Sequence, residues 1–259
     1  MSSSTTRWSD FGIRLASAAV LAPLAILALW SGGLAWFGLI GLFMLGLGAE
    51  WQRLAGLKKA VFLLPAILAL VLLVAIWWGW AAGFLAMAVL TLICCAYCGW
   101  FAAIGIPYAA IGALALMWLR IQPDDGLGHT VLLVVVVWAT DIGAYVVGRL
   151  IGGRKLAPSI SPGKTLSGAW GGLACGGIAG LVVGHFGLTS LIVALILSAC
   201  AQAGDLLESA IKRKLGVKDS GRTIPGHGGL FDRLDGFLSA APVAAILALI
   251  AHGGFLAWG

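Results

Sequence analysis

Charge is what this chain has least of. Asp, Glu, Lys and Arg make up 10% of its 259 residues against 61% hydrophobic residues, and the mean hydropathy is +1.04. A water-soluble globular enzyme is excluded on that ground. The ten acids are outnumbered by sixteen basic residues, for a formal net charge of +6. Nucleic acid is a poor partner even so, because no aromatics interleave with the basic cluster at 212–233 and no recognition module is present. Cysteine is limited to five residues, Cys94, Cys95, Cys98, Cys175 and Cys200, all inside apolar runs. Cys95 and Cys98 form a CxxC without the second pair or nearby His that a zinc site needs, so they read as small packing residues. Soluble domains, repeats and low-complexity tails are missing as well. Polar chemistry therefore has to come from loops and helix ends.

Apolar sequence of membrane-crossing length is abundant. About 20 residues cross ~30 Å of hydrocarbon, and nine runs qualify: 15–30, 34–49, 61–78, 82–98, 104–119, 131–150, 168–186, 188–204 and 237–258. The expected fold is an all-α polytopic membrane bundle of about nine transmembrane helices. Residues 1–130 supply five of the spans. Residues 131–259 form a catalytic transmembrane region with polar loops at 151–167 and 205–236. The first run follows Arg7 and Arg14 and resembles a signal peptide, but eight further spans favour an uncleaved helix. With the N-terminus cytoplasmic, fifteen of the sixteen Lys and Arg residues fall on one side and only Arg120 falls opposite, as the positive-inside rule requires. Most of these cations serve topology and attraction to anionic head groups.

Asp141 stands about ten residues into the sixth run, where an acid costs ~2.5 kcal/mol or more. Trp138, Asp141, Tyr145 and Gly148 share one helical face, so the acid can face the bundle interior, either in a functional site or bonded to a neighbouring helix. Gly168, Gly172, Gly176, Gly180 and Gly184 recur every four residues in the seventh run. This small-residue stripe allows close helix approach, within the monomer or at a homodimer face.

At the end of the eighth run, Gln202, Asp205, Ser209 and Lys212 form one polar stripe with Glu208 alongside. It is either a solvated helix end with a Glu208–Lys212 pair or the wall of a water-filled site. A glycine-rich stretch with Gly216, Gly221, Gly226, Gly228 and Gly229 follows, interspersed with Lys218, Asp219, Arg222 and His227. Closely spaced glycines let backbone N–H groups approach phosphate oxygens. Asp232, Arg233 and Asp235 then precede the ninth run. If the eighth and ninth runs pack together, Asp205 and Asp232 meet as hard oxygen ligands for Mg²⁺, with the helix N-terminus aimed at the same anion. Such a set implies a nucleoside triphosphate. In the second loop, RKLAPSISPGKTLS, residues Ser161, Lys164 and Thr165 can bind phosphate, but GKT is no Walker A motif because the required upstream glycine is absent.

Ser209, Ile211, Lys212, Arg213, Lys218, Asp219, Gly221, Ile224, Pro225, His227, Gly228, Gly229, Leu230, Asp232, Arg233, Leu234 and Asp235 carry a resemblance to the signature of the phosphatidate cytidylyltransferase (CDP-diacylglycerol synthase) family. QAGDLLES at 202–209, DIGAYVVG at 141–148 and SPGKT at 161–165 resemble further family blocks. The likeness covers roughly the C-terminal half. Leu166 and Ser167 depart from it, since family members often carry an acidic or amide residue and an aromatic after SPGKT.

The resemblance implies transfer of the cytidylyl group of CTP to phosphatidic acid, giving CDP-diacylglycerol and pyrophosphate for phospholipid biosynthesis. It also implies a bacterial inner membrane location with the site facing the cytoplasm, Mg²⁺ as cofactor, and Asp205 and Asp232 as its ligands. Glu208 or Asp235 can serve as an outer partner to them. Lys212, Arg213, Lys218, Arg222 and Arg233 hold the triphosphate or the lipid phosphate, with Asp219 in the same catalytic group. His227 donates to a phosphate oxygen or braces the loop. Ser161, Lys164, Ser209, Gly228, Gly229 and Asp141 complete the substrate site. A CTP-dependent lipid-alcohol kinase is the nearest rival. A transporter coupled through Asp141 is less favoured, because no inverted repeat is visible.

Overall fold

The computed structural model describes residues 19–57, 62–185, 187–221, 223–224 and 228–252. Among these the chain is almost wholly helical: α1 (Ala19–Ser31), α2 (Gly33–Leu54), α3 (Leu63–Trp78), α4 (Trp80–Cys98), α5 (Trp100–Arg120), α6 (Gly126–Ile151), α7 (Leu166–Val183), α8 (Leu188–Lys214) and α9 (Phe231–His252). Seven of the nine are long and apolar enough to cross a bilayer, and α1 and α3 are shorter apolar helices. The chain is an integral membrane protein.

Two of the breaks between helices are single glycines with special backbones. Gly79 and Gly99 carry φ of 90° and 88° and separate α3 from α4 and α4 from α5, a conformation that glycine reaches without steric cost. The fourth gap is therefore one residue rather than the stretch 99–103 left between two apolar runs in the sequence, and Pro107 sits inside α5. Such a proline is tolerated at membrane depth where neighbouring groups satisfy the freed carbonyl. Residues 155–165, expected as a loop, form an antiparallel hairpin, β1 (Lys155–Ala157) with β2 (Ser161–Thr165), pairing Lys155 with Thr165 and Ala157 with Ser161.

The chain divides into two compact units, Met1–Ala110 with Val217–Arg233, and Ile111–Gly216 with Leu234–Gly259. In the first, α2, α3 and α4 pack through small residues. A side chain at Gly48 would strike the Pro65 backbone. Trp51, fully inside, stacks on Phe101 with centroids 5.3 Å apart and also meets Tyr108 and Phe231 at 5.6 and 5.5 Å. Its indole N–H donates to the Phe101 carbonyl at 2.9 Å. Gln52, buried beside it, accepts the Leu64 N–H at 2.9 Å and so ties down the start of α3.

In the second unit, α7 is clasped by α6 and α8. The glycine stripe is spent on this packing: a side chain at Gly168 would strike the Ala144 carbonyl, and one at Gly180 would strike Ala194. Where the stripe brings α6 and α8 close, the buried hydroxyls of Thr140 and Ser198 meet at 2.8 Å, an arrangement that satisfies polar groups where no water reaches them. The Gln202 amide donates to the Ala169 carbonyl at 3.3 Å in the same seam.

Candidate functional site

The polar residues of the second unit gather at the C-terminal half of α8. Gly204 sets the geometry, because a side chain there would collide with the Asp235 carbonyl and with Ser239. With no side chain in the way, α8 and α9 approach closely enough for Asp205 and Asp235 to meet. Carboxylate oxygens of Asp205, Glu208 and Asp235 lie within 4.8 Å of one another. Glu208 is buried, while the side chain of Asp205 keeps 37% of its surface exposed.

Two ammonium groups answer these acids. Lys164, on β2, is paired with Asp205 Oδ2. Lys212 pairs with Glu208 Oε2 at 3.2 Å, one helical turn along α8. Ser209 donates to Asp205 Oδ1 at 3.5 Å, and the Gly236 N–H donates to Asp235 Oδ1 at 2.8 Å. The hairpin that presents Lys164 is held at both ends. Thr165 caps α7 by accepting the Gly168 N–H at 3.1 Å, a role suited to a threonine hydroxyl. Arg213 Nε reaches back from α8 to the Ile160 carbonyl at 3.1 Å. Ser161 begins β2 and is half-buried. Asp141, on α6, lies within electrostatic reach of Asp205 and Lys164. Its face is open rather than packed into the bundle, with Trp138 and Tyr145 exposed beside it.

Asp232, expected as the partner of Asp205, belongs to the first unit. There its Oδ2 accepts three bonds, from the Ser220 N–H and hydroxyl at 3.0 Å each and from the Gly229 N–H at 2.9 Å. The carboxylate thus braces the glycine loop at the entrance to α9. Gly228, at φ 86°, accepts the Ile224 N–H at 3.0 Å through its carbonyl. Lys218, Asp219 and Arg233 are exposed. Arg222 and His227 lie outside the described residues.

One acid at the heart of this loop went unnoticed in the sequence. Glu50, on α2, is 0% exposed and accepts from the Leu230 and Phe231 N–H groups at 2.7 and 2.9 Å and from the Ser220 hydroxyl at 3.0 Å. The Thr223 hydroxyl donates to it as well. The available signal was an acid at the end of an apolar run, Glu50, three residues ahead of Arg53, and that pattern is also what a solvated helix end produces.

Three carboxylates in mutual reach, two of them paired with lysine, form a hard oxygen donor set. Mg²⁺ takes such ligands and shares them with substrate phosphates, so the residues fit a divalent ion bound with phosphate. Residues 12–251 match the profile of the cytidylyltransferase family. The chain is similar to the phosphatidate cytidylyltransferase of Brucella suis biovar 1 (strain 1330), 49% identical over 157 residues, or 59% of this chain and 58% of the relative. It is also similar to the phosphatidate cytidylyltransferase of Staphylococcus saprophyticus, 46% identical over 153 residues, 57% and 58% of the two chains. The matched region spans 58% of the length of each of these curated relatives.

Proposed function

The chain belongs to the cytidylyltransferase family, and from that premise we propose that it joins CTP to phosphatidic acid, giving CDP-diacylglycerol and pyrophosphate. The observation that carries the proposal is the cluster of Asp205, Glu208 and Asp235 with Lys164 and Lys212 paired to it, at the membrane-proximal end of an apolar helix. Two phosphate-bearing substrates have to be brought together in this reaction, and one of them is a lipid.

In the proposed step a phosphate oxygen of phosphatidic acid attacks the α-phosphorus of CTP. A new P–O bond forms, the α–β phosphoanhydride bond breaks, and pyrophosphate leaves with that electron pair. The attacking oxygen is already anionic near neutral pH, so the chain needs no general base. Its task is to align two anions that repel each other and to neutralise the leaving group. Asp205, Glu208 and Asp235 would hold Mg²⁺, and the bound ion would supply charge neutralisation at phosphate oxygens; Asp232 is kept as a candidate catalytic residue of the first unit. Lys164 and Lys212 stand where they can pass from carboxylate to phosphate. Arg213, Lys218 and Arg233 supply further positive charge, and Asp141 lines the open face beside Lys164.

We propose nine spans with the N-terminus cytoplasmic. Counting α1 and α3 as crossings leaves fifteen of sixteen basic residues on one side, whereas counting only the seven longer helices moves Arg53, Lys58 and Lys59 across to join Arg120, a poorer fit to the positive-inside rule. The loops at 151–167 and 215–230 lie on the N-terminal side in both counts.

The test is an assay of purified protein with phosphatidic acid, CTP and Mg²⁺, scoring pyrophosphate and liponucleotide, with CTP labelled at the α or the γ position. Label from the α position should enter the lipid. Asp205→Ala should abolish turnover and Cys95→Ala should change it slightly. Transfer of γ label alone would replace this reading with a lipid kinase.

A further inference from the structure

Four donors converge on one buried carboxylate of α2, and all four come from the signature loop and the start of α9. Glu50 Oε1 takes the Leu230 N–H and the Thr223 hydroxyl, and Oε2 takes the Phe231 N–H and the Ser220 hydroxyl. These partners lie 170–181 residues away in sequence. Nothing in local helix structure calls for a carboxylate at this position. Burying one without its hydrogen bonds would cost several kcal/mol, so the four bonds hold the acid and the loop in a single arrangement. The fit is close on all sides. A Cβ at Gly221 would stand 2.7 Å from Glu50 Oε1. The aromatic cluster of Trp51, Tyr108 and Phe231 adjoins the same segment, with the Tyr108 and Phe231 rings parallel at 5.6 Å.

Ser220 extends the arrangement. Its hydroxyl stands 3.0 Å from Glu50 Oε2 and 3.0 Å from Asp232 Oδ2. A single hydroxyl proton thus lies between two acids, while the Ser220 N–H stays on Asp232 at 3.0 Å. Ser220 thus links Glu50 to Asp232 directly, beside the bonds that Glu50 takes from the Leu230 and Phe231 amides.

We propose that Glu50 is a positioning residue for the reaction: through the Ser220 hydroxyl and the Leu230 and Phe231 amides it fixes the backbone of the signature loop and the orientation of the Asp232 carboxylate. This rests on the reading given under Proposed function. Chemistry limits which substitutes can serve. In Glu50→Gln one oxygen becomes an NH₂ group, and either amide orientation points that donor at a backbone N–H, of Leu230 or of Phe231, which cannot turn to accept. Glu50→Asp keeps both acceptor oxygens but withdraws them by about 1.5 Å, one C–C bond.

The experiment uses the full chain in lipid nanodiscs. Steady-state turnover of CTP with phosphatidic acid is measured together with hydrogen exchange of peptides covering residues 228–234 and of peptides from α6 to α8. Glu50→Gln should lower kcat on the order of 100-fold, the scale of a displaced catalytic constellation. It should leave KM for CTP within a few-fold and speed exchange at 228–234 without speeding it in α6 to α8. Glu50→Asp should recover about tenfold of the loss. Turnover of Glu50→Gln within threefold of wild type overturns the proposal, and so does unchanged exchange at 228–234. If Glu50→Gln does not fold, Ser220→Ala decides: at least a tenfold fall in kcat supports the link between the acids, and a smaller effect overturns it. Should the wild-type chain form no liponucleotide, the reading of the reaction fails. The exchange measurement would still show whether Glu50 holds the loop.

Discussion

Asp235→Asn should make the protein more stable and less active at once. Its carboxylate lies within 4.8 Å of those of Asp205 and Glu208. At that separation and an effective dielectric of about 20, each like-charge pair costs roughly 3.5 kcal/mol. Lys164 and Lys212 already offset much of this through Asp205 and Glu208, and the exposure of Asp205 screens more. A net gain of about 1–2 kcal/mol remains for neutralising the third acid. Asparagine keeps an oxygen to accept the Gly236 N–H, bonded at 2.8 Å to Asp235 Oδ1, and its NH₂ can donate to a neighbouring carboxylate, so little is lost by the change. The assay is thermal unfolding of purified protein in EDTA and across an Mg²⁺ titration. In EDTA the variant should melt a few degrees above wild type. Mg²⁺ should raise the wild-type midpoint, since a ligand that binds only the folded state stabilises it by RT ln(1 + [L]/Kd), and should raise the variant's far less. A variant that melts below wild type in EDTA, or that keeps the full Mg²⁺ increment, would refute the reasoning for a three-acid ion site.

Two changes test the packing that positions the site. Gly221→Ala puts a methyl group 2.7–2.9 Å from Glu50 carboxylate and side-chain atoms; it should cost about 1–3 kcal/mol, as overpacking does, read as a lowered melting midpoint, and an unchanged midpoint would contradict it. Gly176→Leu wedges a side chain into the seam where Thr140 and Ser198 meet, and it should lower both the yield of folded protein and the melting midpoint, whereas a lipid-facing or dimer-facing glycine would accept the leucine with the monomer's stability intact.

The class of the protein was legible because a chain with this little charge has few ways to fold. Long apolar runs with glycine breaks gave the helices, and Gly79 and Gly99 ended them where the backbone had to turn. The stripe from Gly168 to Gly184 announced close helix packing, and α6 and α8 supply it. The hairpin at 155–165 was not legible. Pro158, Pro162 and Gly163 all read as loop residues, and strand pairing across a short turn depends on a register that no periodicity reveals. Glu208 could be seen beside Asp205 by helical spacing, and Asp235 as an acid ahead of the ninth apolar run. That Gly204 lets α9 settle on α8 so that Asp235 joins Asp205 is a fact of packing.

The glycines of the signature loop show where sequence and structure part most clearly. Read alone, their spacing suggests backbone bared to approach a phosphate. In the fold, two of them have another reason to lack a side chain. A Cβ at Gly221 would meet the Glu50 carboxylate, and one at Gly229 would overlap the Ser220 hydroxyl and crowd the Gly221 N–H and Asp232. Both glycines are therefore required by the hydrogen-bonded frame of Glu50, Ser220 and Asp232 whether or not a phosphate ever touches them. It follows that the glycine spacing by itself argues for the frame and not for the ligand. The proposal of phosphate binding rests instead on the charged residues, whose pairing in α8 and β2 can be taken apart one lysine or one carboxylate at a time.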